Sequence, residues 1–147
     1  IAGEFFDQII IDLGSIAFLA KELSDRRWGS AVKTWAVRNA DNFVLTTIST
    51  FLGQKRCDEF MQSLSKISLT AELHLVNTHS SNKRGPELSA SRKSLIRSTA
   101  IWNLPWDQRS CQLAIEERTT LQQSAERGAL RKEIAKMAQA ICAPSKK

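Results

Sequence analysis

ISLTAELHLV, residues 67–76, is the stretch on which the fold depends, because it fits two kinds of secondary structure. From residue 67 to residue 75 apolar residues alternate strictly with polar ones, and this period of two is typical of a β-strand. The stretch also continues a helical spacing of three and four residues from the preceding segment. That series is Phe60, Leu64, Ile67, Ala71 and Leu75. A strand would need a partner, which only residues 43–51 could supply, so we favour the helix.

Helical periodicity dominates the rest of the chain. Residues 4–25 carry a wide apolar stripe that repeats every seven residues, which predicts a long helix buried on more than one side. In a helix predicted at 26–39, Trp28 and Trp35 lie on the apolar stripe, and we expect both in the core. Further helices are predicted at 42–52, at 91–103, at 106–127 and between Gly128 and Pro144.

These segments predict an all-α protein, a bundle of about five to seven helices. The alternative is an α+β fold in which residues 43–51 and 67–76 form a small hairpin. Residues 77–91 are rich in Ser and Asn and contain the Gly-Pro pair, so we expect an exposed loop within a single helical domain covering 1–147. The first residue is Ile rather than Met, which leaves open that the chain is a piece of a longer one.

Positive charge is concentrated in the second half of the chain. The 21 lysines and arginines exceed the 15 aspartates and glutamates, and the net charge is −1 for residues 1–73 and +7 for residues 74–147. Such an asymmetry is typical of a surface that contacts a polyanion. Basic residues spaced along helices can follow a phosphate backbone without reading the bases. The candidate nucleic-acid-binding residues are Arg26, Arg27, Lys83, Arg84, Arg92, Lys93, Arg97, Arg131, Lys132 and Lys136.

The sequence offers no convincing catalytic centre, and we do not expect an enzyme. His74 and His79 are five residues apart, so they do not share a helix face for metal binding. No glycine-rich phosphate loop occurs in the sequence. Cys57, Cys111 and Cys142 are widely spaced, which suits reduced thiols in a cytoplasmic protein rather than a zinc site or a disulfide framework. Neither a metal nor a cofactor is predicted.

The fold and the charge together suggest a non-catalytic basic helical subunit that contacts nucleic acid backbone within a larger complex. In size, helical content and charge, though in no residue motif, the chain resembles the small helical subunits of CRISPR effector complexes. The apolar face of residues 5–23 is the candidate contact to other protein subunits. The alternative is a helical protein-interaction or adaptor domain without nucleic acid binding. No apolar run is long enough to cross a bilayer, so no membrane partner is expected.

Overall fold

A computed structural model describes residues 7–15, 28–66, 69–80 and 99–143 of the chain. Over these ranges the chain forms three strands and five helices. In chain order the elements are α1 (Trp28–Asn39), β1 (Asn42–Ile48), α2 (Phe51–Leu64), β2 (Glu72–Ser80), β3 (Thr99–Pro105), α3 (Gln108–Glu116), α4 (Leu121–Ser124) and α5 (Ala129–Cys142).

The three strands form one parallel sheet in the order β1-β2-β3. Residues 42–48 of β1 pair with residues 72–78 of β2, and β3 lies on the other side of β2. Parallel neighbours need a crossover connection, and α2 supplies it between β1 and β2. The ladder between β2 and β3 becomes irregular between Asn77 and Ser80, near the carboxyl ends of both strands.

One face of the sheet packs against α1 and α2 to form the hydrophobic core. The rings of Phe43 on β1 and Phe60 on α2 stack with centroids 6.5 Å apart. Leu73 and Leu75 of the central strand are completely buried on this face. The whole buried cluster is Val37, Phe43, Cys57, Phe60, Met61, Leu64, Ala71, Leu73 and Leu75.

The opposite face of the sheet is covered only in part. Helix α5 contacts β3 but contributes no residue to the core cluster, so it covers this second face. His74 and Val76 of β2 are buried here, since side chains alternate between faces along a strand. On β1, Val44 and Ile48 point to the same face and are 43% and 46% exposed. The covering layer therefore ends before it reaches β1.

The turn from β1 into α2 requires a glycine. Thr50 caps the helix, and its hydroxyl accepts a hydrogen bond from Gly53 N at 3.1 Å. A Cβ on residue 53 would overlap the carbonyl oxygen of Ile48. Only a residue without a side chain allows the first turn of α2 to pack this closely on the end of the strand.

The all-α prediction is wrong, because the described chain is built on a parallel sheet. Residues 43–51 and 67–76 do contain neighbouring strands, as the α+β alternative assumed, but these strands run parallel and are joined through α2 rather than by a hairpin. The helix predicted at 42–52 is a strand as far as Ile48. The β-branched residues of this segment suit a pleated strand packed beside a neighbour.

Other predicted segments divide between correct and wrong. The helix at 26–39 is confirmed over 28–39, and the last helix is confirmed as α5. The helix predicted at 91–103 is wrong where it overlaps β3, and its remainder lies outside the described residues. Of the predicted helix at 4–25, the described residues 7–15 contain no helix.

Two further expectations are corrected in part. The helix predicted at 106–127 is interrupted, and the separate helices α3 and α4 take its place. The loop predicted at 77–91 is wrong at its start, because residues 77–80 complete β2. Residues 81–91 lie outside the described ranges.

The tryptophans of α1 are not in the core. Trp28 and Trp35 are 83% and 57% exposed, whereas α1 buries Ser30, Ala36 and Val37. The helix carries apolar residues on two faces, and the buried face is the one with the smaller side chains. Small residues allow the helix axis to approach the sheet more closely than two indole rings would.

Candidate functional site

Polar side chains gather at the carboxyl ends of the three strands. Ser49 follows β1, Asn77 lies near the end of β2 and Asn103 near the end of β3. In open parallel α/β sheets, ligands bind in the crevice beyond this edge, because loops and helix starts converge there. This edge is therefore the first place to look for a site.

A chain of hydrogen bonds links the three strand ends. Ser49 Oγ lies 2.8 Å from Asn77 Oδ1 and 3.0 Å from the carbonyl oxygen of Thr78, and it donates to this pair of acceptors. Asn77 Nδ2 donates to Asn103 Oδ1 at 3.2 Å. Asn77 has no exposed surface, so burial and hydrogen bonds hold its amide in one orientation.

Of the residues in this series of hydrogen bonds, Asn103 is the one whose side chain is exposed to solvent. Its Oδ1 is occupied by Asn77, which orients the amide so that Nδ2 is the remaining donor. Within the described ranges, Asn103 Nδ2 has no hydrogen-bond partner. An exposed amide whose orientation is set from behind is suited to donate to an acceptor on a bound molecule.

An aromatic pair lies at the same edge of the sheet, where β2 and β3 end. The rings of His79 and Trp106 have centroids 4.2 Å apart with planes tilted by 30°. Trp106 N donates to the carbonyl oxygen of Ser80 at 3.3 Å, which joins the residue after β3 to the end of β2. The Trp106 side chain is 54% exposed, so part of its indole surface is open to solvent.

The local backbone and a threonine hydroxyl orient the imidazole of His79. His79 has a φ of 59°, a left-handed conformation that turns the chain at the end of β2. Thr78 Oγ1 donates to the carbonyl oxygen of Thr47 at 3.0 Å, so it must accept from His79 Nδ1, which lies 3.2 Å away. Nδ1 therefore carries a proton, and in the neutral ring Nε2 is an acceptor.

Helix α3 begins directly after Trp106. Asp107 caps this helix: its Oδ1 accepts from Ser110 N at 3.1 Å and its Oδ2 from Ser110 Oγ at 2.8 Å. An open groove of about 510 Å³ lies on the far side of this cap, between α3, α4 and the start of α5. No strand-end residue lines the groove, and the Asp107 carboxylate is already used by the cap.

His74 is not available as a general base. It is buried on the second face of the sheet. Its Nε2 lies 3.1 Å from Asn42 Oδ1, and Trp102 Nε1 donates to its Nδ1 at 3.4 Å. Both ring nitrogens of this buried histidine are therefore engaged in hydrogen bonds. No cluster of metal-ligating residues occurs among the residues placed by the structure.

The structure places three of the ten predicted nucleic-acid-binding residues, and their assignment stays a prediction. Arg131, Lys132 and Lys136 lie on α5, where Arg131 Nη1 donates to the carbonyl oxygen of Glu126 and Lys136 pairs with Glu133 at 2.6 Å. None of the three belongs to the strand-end edge. The other seven, Arg26, Arg27, Lys83, Arg84, Arg92, Lys93 and Arg97, lie outside the described residues.

The residues at the strand ends were missed by sequence reasoning. Asn77 and His79 fell in a predicted loop, and Asn103 fell at the end of a predicted helix. A usable signal was present, since an asparagine follows a mainly apolar run twice, in LHLVN at 73–77 and in AIWN at 100–103. That signal becomes readable only when both runs are recognised as neighbouring parallel strands.

The comparisons with known proteins agree with this architecture. No protein-family model and no curated protein matches the chain. Among solved structures, it is similar to a ParA family ATPase from Chlorobium tepidum TLS, with a TM-score of 0.59 and 15% sequence identity. The match covers 73% of this chain and 44% of that one. The chain therefore has an α/β Rossmann-like fold, and it spans less than half the length of the ATPase.

This fold overturns the functional prediction. A basic helical subunit on nucleic acid backbone and a helical adaptor domain both assumed a helical bundle, and nothing in the structure or the comparisons supports a nucleic-acid-contacting helical subunit. The proposed contact to other subunits through residues 5–23 stays a prediction, since only 7–15 of that range are described. In the described part of the chain, no helix combines the length and the apolar character needed to span a membrane.

Proposed function

We propose that the carboxyl edge of the sheet binds the base of an adenine nucleotide. Trp106 carries this proposal, because its half-exposed indole lies just beyond β3 and offers a flat surface on which a purine can stack. Two general facts support it. Parallel α/β sheets bind ligands at this edge, and the solved protein with a similar fold is described as an ATPase.

Two hydrogen-bonding groups at the ends of β2 and β3, of which His79 contacts Trp106, complement adenine. Asn103 Nδ2 would donate to a ring nitrogen of the base, and His79 Nε2 would accept from its exocyclic amine. Guanine has a carbonyl oxygen where adenine has this amine, so it would face the His79 lone pair without a proton between them. Asn77 would not contact the base, but its hydrogen bond would hold the Asn103 amide in its orientation.

We do not propose that this chain hydrolyses the nucleotide by itself. Phosphate groups in such folds are held by a glycine-rich loop that leads into a helix, and the sequence has no such loop. The proposal therefore covers recognition of the base alone. We propose that this binding takes place in the cytoplasm, where cysteines such as Cys111 and Cys142 stay reduced.

The test is a titration of the chain with adenosine, followed through the indole N–H signals of its tryptophans by NMR. We expect the Trp106 signal to shift and the Trp35 signal to stay unchanged. Trp106→Ala should weaken adenosine binding roughly five- to 150-fold, since base stacking contributes about 1–3 kcal/mol. Trp35→Ala is the matched control, because Trp35 is similarly exposed but lies on α1.

Guanosine provides the specificity arm of the same experiment. We expect it to bind more weakly than adenosine, and His79→Phe should reduce the difference while keeping an aromatic ring beside Trp106. The proposal is wrong if adenosine does not bind at millimolar concentration. It is also wrong if Trp106→Ala and Trp35→Ala have equal effects.

A further inference from the structure

The outer edge of β1 has no partner strand among the described residues. Within the described part of the chain, β1 pairs only with β2. Ser49 N donates to the carbonyl oxygen of Thr78, and Glu72 N donates to that of Asp41, so residues 41 and 49 turn their backbone groups towards β2. Backbone groups alternate in direction along a strand, so the residues between them with even numbers point outwards. These are Asn42, Val44, Thr46 and Ile48, of which Ile48 offers only its N–H, because its carbonyl oxygen accepts from Thr50 N at 2.8 Å.

This edge lacks the features that keep natural edge strands apart. Exposed edges are normally protected by charged side chains, by proline, by a bulge or by shortness. The seven residues NFVLTTI contain no charge and no proline, and they pair with β2 in an unbroken register. Val44 and Ile48 add half-exposed apolar side chains along the same edge. A regular, uncharged strand of this kind is a template for another strand.

We propose that a second copy of this chain pairs with this edge through its own β1, antiparallel about a two-fold axis. The outward residues allow a register centred on Thr46, in which Thr46 lies opposite Thr46 of the second copy. Val44 then lies opposite Ile48 of the second copy, and the same pair repeats across the axis. Cross-strand pairs of threonines and of β-branched apolar residues are favourable. Each copy uses its β1 edge in this contact, so the assembly stops at a dimer.

The charges that flank β1 favour this arrangement. Antiparallel pairing places Asp41, which is exposed, opposite the start of α2 in the second copy. That helix start is positive because of its free N–H groups, and the exposed Lys55 follows one turn later. A parallel arrangement would place the two Asp41 carboxylates side by side. The strand thus complements itself in shape and charge, which favours a second copy over an unrelated strand.

The first test is sedimentation equilibrium of the 147-residue chain over a wide concentration range. We expect a reversible dimer. Thr46→Pro removes one outward N–H from each copy without touching the ladder to β2, and it should raise the dimer Kd by about tenfold or more. Thr46→Val keeps the N–H and should keep the dimer. Circular dichroism establishes that each variant is folded.

The second test is disulfide trapping, which remains decisive if Thr46→Pro fails to fold. In a background of Cys111→Ser and Cys142→Ser, Thr46→Cys should cross-link two copies under mild oxidation. Directly opposite residues have Cα atoms about 5.5 Å apart, within the range that a disulfide spans. Val44→Cys should not cross-link, because Val44 would lie about 14 Å along the strand from its own counterpart.

Three outcomes would overturn the proposal: a monomer at every concentration, a dimer that Thr46→Pro leaves unchanged in a folded protein, or equal cross-linking by Val44→Cys and Thr46→Cys. A monomer at every concentration would mean that the β1 edge does not pair with a second copy. The inference does not depend on the proposed function, since the dimer contact lies on β1 and the proposed base site on β2 and β3. Thr46→Pro should therefore leave adenosine binding unchanged.

Discussion

Asn77 Nδ2 donates to Asn103 Oδ1 at 3.2 Å, and this hydrogen bond ties the end of the central strand to the end of β3. On its other side the same Asn77 amide accepts from Ser49, which follows β1. One buried side chain therefore joins all three strand ends and orients the exposed amide of the candidate site. A polar residue at the centre of the sheet is stable here because its partners come from both neighbouring strands.

Replacing Asn77 should destabilise the protein more than replacing Asn103. Asn77→Ala leaves the Ser49 hydroxyl and the Asn103 amide without their buried partner, and it should lower the free energy of unfolding by about 1–3 kcal/mol. Asn103→Ala should cost less, because position 103 is exposed and water can replace the acceptor that Asn77 Nδ2 loses. Urea denaturation of both variants measures the difference. Equal losses would show that the chain of hydrogen bonds does not stabilise the fold.

The two histidines should be opposite tautomers when neutral. Trp102 Nε1 can only donate, so His74 Nδ1 accepts and its proton lies on Nε2, facing Asn42. His79 has the reverse arrangement, with its proton on Nδ1 facing the Thr78 hydroxyl. Long-range proton–nitrogen NMR spectra distinguish the two forms in a single sample. The same tautomer for both rings would contradict one of the two networks.

The stacked phenylalanines of the core provide a packing prediction. Phe60→Ala removes a buried ring that stacks on Phe43, and it should cost about 3–5 kcal/mol of unfolding free energy. Phe51→Ala, on the same helix α2 but with an exposed ring, should change stability by no more than about 0.5 kcal/mol. Thermal or urea unfolding compares the two. A large effect at Phe51 would mean that this ring is covered in solution.

The turn after β1 gives a glycine prediction. Gly53→Ala forces a Cβ against the carbonyl oxygen of Ile48 and should cost about 1–3 kcal/mol, because backbone must move. Gly128 is the control, since it has an ordinary extended conformation and a Cβ there would lie 3.2 Å or more from its neighbours. We expect Gly128→Ala to cost clearly less. The reverse order of stabilities would contradict the geometry of the β1–α2 turn.

Periodicity alone was sufficient to predict α1 and α5. Both helices carry apolar residues at helical spacing, and neither depends on a distant partner for its local structure. The same reasoning failed for residues 72–80, because β2 is buried on both faces. One face carries His74 and the other carries Asn77, each among apolar residues. The polar–apolar alternation typical of a half-exposed strand is therefore lost, and the segment resembles a buried helix in sequence. These polar residues become acceptable only beside Asn42, Trp102 and Asn103.

The sequence by itself determined the helices α1 and α5, the alternation within 67–76 and the segment that could pair with it. Only the tertiary structure decided that this pairing is parallel, since α2 must pack on the sheet that it crosses. It also decided which stripe of α1 is buried. The candidate site depends on the same step. Ser49, Asn77 and Asn103 are 26 or more residues apart along the chain, and they meet because the carboxyl ends of parallel strands share one edge.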